Sequence, residues 1–266
     1  MSRSRDSDTS GRGFRGNDVN SCAHDGMVGS LLILLFCRQL ERREPEMNLD
    51  TFINSNRSAF APMFHPALTA DNTLRMDLST SNHEFNGLSE AELDAAILHK
   101  LANAGAIAGV GGYLEKRAMY KDTDLFQGDE ERSIHIGVDV FMPAGTAVYA
   151  PLDGEVQSFA NRQVSGDYGP VIILRHRHDD FEFHTLYGHL SEASLAGLHE
   201  SKAVSAGDKI AEFGPRPVNG NWPPHLHFQL IEDMQGYRGD YPGVVRPAEL
   251  AFFQQNCPDP MALIVG

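Results

Sequence analysis

Downstream of Phe126 the apolar residues of this 266-residue chain fall at every second position, in short runs separated by Pro, Gly and Asp. That period suits a strand with one dry face; an amphipathic helix repeats its apolar positions every three or four residues. Ile134, Ile136, Val138 and Val140 alternate with His135, Gly137 and Asp139, predicting one strand. Further strands are predicted at Thr146–Tyr149, Glu155–Phe159, Val171–Leu174, Phe183–Tyr187, Lys209–Phe213 and Leu226–Ile231, with a Pro151-Leu152-Asp153-Gly154 turn before the third. So many short strands divided by turn residues make a compact β domain.

The upstream part differs in kind. Residues 1–26 are rich in Ser, Arg, Gly and Asp, with too few apolar side chains to offset chain entropy, and residues 1–46 are read as a disordered leader. Inside it, Met27–Cys37 is an apolar run well short of the roughly 20 residues a spanning helix needs. Its length fits a signal-peptide core, but no A-x-A-like site follows, so signal, anchor and a true start at Met47 all remain open. Residues 47–126 form a mixed segment with one helix: Ser89-Glu90-Ala91-Glu92 is a capping box, and Leu93, Ile97, Leu98, Leu101 and Ala104 follow at helical spacing. That helix should stop between Gly105 and Gly112, and residues 251–266 are read as a tail.

Lys and Arg number 22 against 36 Asp and Glu, a formal net charge of −14, which argues against nucleic acid as a partner. Cys22, Cys37 and Cys257 are odd in number and far apart, excluding a disulfide framework and a Cys-based zinc finger. Any metal must then be held by His and carboxylate, and the chain has 12 His.

Period two places His135, Gly137 and Asp139 on one face of their strand, with Gly137 leaving room for an imidazole and a carboxylate to converge on one ion. His225-Leu226-His227-Phe228 repeats the device, both His on one face and Leu226 and Phe228 toward the core. A lone strand His is more often solvated or hydrogen-bonded than a ligand; H-x-x-x-D and H-x-H together point to a shared polar cleft. A third element, Leu186-Tyr187-Gly188-His189-Leu190, adds a His at a strand end.

Those three motifs, in that order, resemble the motif set of the M23 (LytM/lysostaphin-type) zinc metallopeptidases. Ala150-Pro151-Leu152-Asp153-Gly154-Glu155-Val156, Gly169–His176 and Val204-Ser205-Ala206-Gly207-Asp208-Lys209-Ile210 resemble the framework between them, so the likeness covers residues 127–250. The resemblance implies a mainly β, compact antiparallel domain of two packed sheets, with Zn²⁺ held by His135, Asp139 and His227 and with His189 and His225 as a non-ligating catalytic pair. It also implies an endopeptidase acting on peptidoglycan stem or cross-bridge peptides, and favours the cell envelope over the cytoplasm. Two neutral imidazoles and one carboxylate leave zinc a net positive charge and an open vertex, as a catalytic site requires. Oligomeric state is not legible.

This chain departs from the family pattern at Asn221-Trp222-Pro223-Pro224 before His225 and at Gln229 after Phe228, changes to the cleft wall and not to the ligands. Trp222 reads equally as a substrate platform or a packing residue. His176-Arg177-His178 is a second H-x-H that can bind metal on composition, although it runs into a charged turn. His184, His24, His65, His83, His99 and His199 are read as structural or exposed, and Asp129-Glu130-Glu131 as a solvated turn. The Leu152–Val156 hairpin is similar to that of lipoyl and biotinyl carriers but has no Lys to modify. Two rivals stand beside the peptidase: a non-catalytic M23-like module that binds cell-wall peptide or regulates another hydrolase, and a two-His-one-carboxylate Fe(II) oxygenase, whose usual spacing is H-x-D.

Overall fold

The computed structural model describes residues 48–85, 87–117, 132–178 and 181–266. The leader with its apolar run, Cys22, Cys37, His24 and the acidic run at 129–131 lie outside the described residues. The fold is mainly β and mainly antiparallel, as its alternation demands. Its central sheet has eight strands in the order β1 (Thr73–Met76), β2 (Ala108–Gly111), β5 (Val138–Phe141), β12 (His225–Ile231), β9 (Phe181–Gly188), β8 (Gly169–His178), β7 (Gly154–Arg162) and β10 (Ala203–Val204). Of these, β1 runs parallel to β2 and the other ladders are antiparallel. A two-stranded sheet pairs β6 (Ala147–Tyr149) with β11 (Lys209–Glu212), and a three-stranded sheet orders β13 (Val244–Val245), β4 (Ile134–His135) and β3 (Glu115–Lys116).

The strand expected from Ile134 to Val140 is two strands. It breaks at Ile136–Gly137, and β4 joins the small sheet while β5 joins the large one. The supposed single dry face is therefore shared between two cores: Ile134 and Ile136 pack with Tyr168, Ile173 and Tyr241, whereas Val138 and Val140 pack with Leu226, Phe228 and Phe213. The other expected strands are present, several longer than the pattern indicated.

The predicted helix is α2 (Glu90–Ala104), following a short α1 (Leu49–Ser55). The Glu92 carboxylate accepts from Ser89 N and Ser89 Oγ at 2.9 and 2.6 Å, and Gly105 ends the helix at φ 65°, a left-handed cap open to glycine at little cost. Ile97 and Leu101 are buried against Met76 and Phe141, but Leu98, expected on the same face, is 53% exposed. After β13 the chain closes with α3 (Leu250–Asn256) and α4 (Met261–Ile264); α4 puts Leu263 and Ile264 into the core that holds Leu49 and Phe52 of α1. Residues read as a tail are thus packed structure. Among the described residues no helix is long and apolar enough to cross a membrane.

Candidate metal centre

Antiparallel pairing of β12 with β5 sets His227 directly opposite Asp139, and β4 delivers His135 from the adjoining sheet. Three donor atoms converge. His135 Nε2 lies 3.2 Å and His227 Nδ1 3.3 Å from Asp139 Oδ1, and the two nitrogens are 2.8 Å apart. All three residues are buried. Gly137 makes the approach possible, since a Cβ there would meet the His227 ring at 2.6 Å.

The outer ring nitrogens determine what the inner ones present. His135 Nδ1 donates to Gly112 O at 3.4 Å, because a carbonyl can only accept. Gln229 Nε2 donates to Pro242 O at 3.2 Å, which turns Gln229 Oε1 toward His227 Nε2 at 3.0 Å as acceptor. Both imidazoles therefore aim lone pairs at one point, alongside Asp139 Oδ1, a buried oxygen that accepts no hydrogen bond. Lone pairs crowded without a donor repel unless a cation lies among them. Tetrahedral zinc with ligand bonds of about 2.0–2.1 Å requires ligand–ligand edges of roughly 3.3 Å. Both carboxylate edges match this and the nitrogen–nitrogen edge is tighter.

Protonation agrees with the geometry. Burial, reinforced by the Arg117 charge, pushes His135 down to about 3. Burial opposes ionisation of Asp139, yet His135 and Arg117 together hold its carboxyl well below the usual carboxylate range. At neutral pH His135 is neutral and Asp139 ionised, a state ready for metal without proton release from these two groups.

His189 and His225 flank the donors, with ring centroids 4.2 Å apart. His225 comes from the start of β12 and puts Nε2 3.8 Å from Asp139 Oδ1. His189 follows the end of β9 at φ 62°, a left-handed conformation that costs a non-glycine residue about 1 kcal/mol or more. Its N–H donates to Tyr168 O and its carbonyl accepts from Gly214 N, and these bonds hold the kink. Each ring gives its Nδ1 proton to a carbonyl, His189 to Asn219 O at 2.8 Å and His225 to Pro223 O at 2.6 Å, so each keeps an Nε2 lone pair. Burial lowers both, His189 the further because His225 and His227 adjoin it.

The five histidine and aspartate residues singled out in the sequence thus line one cleft of about 220 Å³. Trp222 lies on its wall, its ring 6.5 Å from that of His189. The upstream segment supplies Leu78, Leu93 and Ile97 to the same wall. It also clamps the Trp222 loop: the Arg216 guanidinium donates to Asp94 of α2 at 3.0–3.2 Å and to Asn221 O.

Among the described residues the other H-x-H meets no third donor. His176 donates Nδ1–H to Asp153 O at 2.8 Å and bonds Thr185 Oγ1 through Nε2 at 2.7 Å, while the His178 ring packs on Phe52. Among the described residues, His135, Asp139 and His227 are the one group with metal-ligand spacing. Sequence reasoning missed Arg117, buried with Nη1 2.5 Å from Asp139 Oδ2 and Nε 2.8 Å from Glu115 Oε2. It also missed Tyr168, whose ring packs 5.2 Å from that of His227. Neither stands in an informative local pattern. Gln229 was visible as a departure, but not as the group that orients His227.

Residues 133–238 match the model of Peptidase family M23. An uncharacterized metalloprotease of Haemophilus influenzae is 35% identical over 96 residues, 36% of this chain and 18% of that one. The peptidoglycan DD-endopeptidase ShyA of Vibrio cholerae is 35% identical over 98 residues, 36% of this chain and 20% of its own. The chain therefore spans about a fifth of the length of these curated relatives. The crystal structure of a zinc-containing peptidase from Vibrio cholerae aligns with a TM-score of 0.29 at 28% identity, over 37% of this chain and 27% of that one.

Proposed function

The chain belongs to peptidase family M23 through residues 133–238, and from that premise we propose that it is a zinc-dependent metalloendopeptidase. The observation that carries the proposal is the convergence of His135 Nε2, Asp139 Oδ1 and His227 Nδ1, every pair within 3.3 Å, in a buried cleft. Those three residues would hold the metal. When bound, zinc supplies a Lewis acid that acidifies water and polarises a carbonyl.

His189 and His225 then act through Nε2. Neutral at pH 7, the pair accepts the proton of the attacking water and returns it to the amine nitrogen as the peptide C–N bond breaks. A proton held there also offers a donor to the oxyanion of the tetrahedral intermediate. Their Nδ1–H bonds to Asn219 O and Pro223 O keep the rings oriented, and the apolar wall of Leu78, Leu93, Ile97 and Trp222 limits water around the peptide.

The substrate class we infer is peptidoglycan stem or cross-bridge peptide, and the compartment the cell envelope. Both readings rest on the name of the ShyA relative. Mass spectrometry of muropeptides of several bridge types, incubated with zinc-loaded protein, should show new termini at one peptide bond. Intact muropeptides under full zinc occupancy would instead support a non-catalytic cell-wall module.

A further inference from the structure

The metal-facing residues lie within 133–238, but besides the Gly112 carbonyl that accepts from His135 a charged side chain reaches the ligand set from upstream of it. Arg117 follows β3, is 1% exposed, and places Nη1 2.5 Å from Asp139 Oδ2, the oxygen turned away from the two imidazoles. Its Nε is 2.8 Å from Glu115 Oε2. Glu115 in turn accepts from Leu78 N through Oε1 at 3.0 Å. A continuous run of hydrogen bonds thus passes from the backbone after β1, through Glu115 and Arg117, to the carboxylate of the metal centre. Gly111 lines this run: a Cβ there would stand 3.0 Å from Arg117 Nη2 and 3.5 Å from Asp139 Cβ.

We propose that Arg117 is a positioning residue that makes Asp139 a one-oxygen ligand, and that Glu115 balances its charge so that the cation still binds. The inference rests on the metallopeptidase reading above. The Nη1 donor on Oδ2 leaves only Oδ1 for the cation, so the carboxylate would not chelate through both oxygens and a coordination vertex would stay open to substrate. The same guanidinium draws electron density from the carboxylate, which leaves a bound cation more acidic, and its positive charge opposes that cation. Glu115, at hydrogen-bonding distance on the far side, offsets this opposition. The segment upstream of the family domain is then part of the metal centre's electrostatics as well as of its cleft wall.

The two partners predict opposite signs, which general damage to the fold does not produce. Zinc affinity, read by competition with a chromophoric chelator on the full chain, should rise about tenfold in Arg117→Met and fall about tenfold in Glu115→Gln. With cobalt in place of zinc, the strong visible bands of a four-coordinate ion should weaken toward those of a five-coordinate one in Arg117→Met and persist in Glu115→Gln. Peptide hydrolysis should fall in Arg117→Met despite the tighter metal. Affinities that move in the same direction, or a cobalt spectrum unchanged in Arg117→Met, would overturn the proposal. Should Arg117→Met fail to fold, Arg117→Leu carries the same test: it too leaves Asp139 Oδ2 without its donor, so its cobalt spectrum should shift as well, and an unchanged one is the overturning result. If the unaltered protein binds neither zinc nor cobalt, the metallopeptidase reading itself fails.

Discussion

His225-Leu226-His227 and His176-Arg177-His178 are the same pattern on strands of the same sheet, two ladders apart, and they do unrelated things. β12 sets His227 opposite Asp139 across one ladder and Gly188 across the other, so that imidazole meets a carboxylate on one side and, over the glycine, the ring of Tyr168 on the other. In β8, His176 and His178 pair with Phe183 and Phe181 of β9, and the His176 ring is saturated by Asp153 O and Thr185 Oγ1. A ligand pair therefore needs more than two histidines on one face. It needs a neighbouring strand that brings a third donor and nothing that satisfies the lone pairs first.

Breaking the first pair should have the largest effect. His227→Ala or Asp139→Ala removes one of three ligands, so zinc measured by atomic emission should leave the purified protein and hydrolysis should fall to background. His176→Ala should keep its zinc; loss of metal there would erase the distinction between the pairs. His189→Ala should retain zinc while turnover drops by roughly 10²–10⁴-fold, the range for a positioned acid–base group. Zinc loss equal to that of the ligand variants would make His189 a ligand and not a proton carrier.

The second pair should speak through stability. Burial holds His176 neutral down to about 4, whereas an exposed His titrates near 6.5. Between those values the unfolded chain binds the extra proton, so stability is complete above pH 6.5 and declines as pH falls toward 4, by about 3 kcal/mol from this residue. Urea unfolding against pH should show a shallower decline in His176→Gln than in the unaltered protein, and equal slopes would refute the assignment. The smallest effect sharpens the first pair: Gln229→Leu removes the acceptor that orients His227 and should weaken zinc binding by about 10–100-fold. A calorimetric titration indistinguishable from the unaltered protein would show that the ring is held by packing alone.

Much of this site was legible because its residues sit on strands whose period is short and strict. Alternation at Ile134–Val140 and His225–Phe228 separates polar from apolar side chains, and no helix reading competes. The break at Ile136–Gly137 was not legible, because the alternation continues unbroken through it while the backbone changes sheets. β1, β2, β3, β10 and β13 were missed for a related reason: they are two to four residues long and exist through their partners, not through a pattern of their own. Leu98 shows the converse error, an apolar residue at acceptable spacing that the helix nonetheless turns to solvent.

Residue order alone settled that a mainly β domain lies downstream of Phe126, that any metal is held by imidazole and carboxylate, and which strands carry those groups; local periodicity encodes all of this. Tertiary structure alone decided which H-x-H meets a carboxylate, that Gln229 sets the His227 tautomer, and that Arg117 and Glu115 reach the centre from upstream. Those outcomes depend on which strands become neighbours and which buried groups satisfy each other, relations set by packing between distant stretches that no local pattern carries.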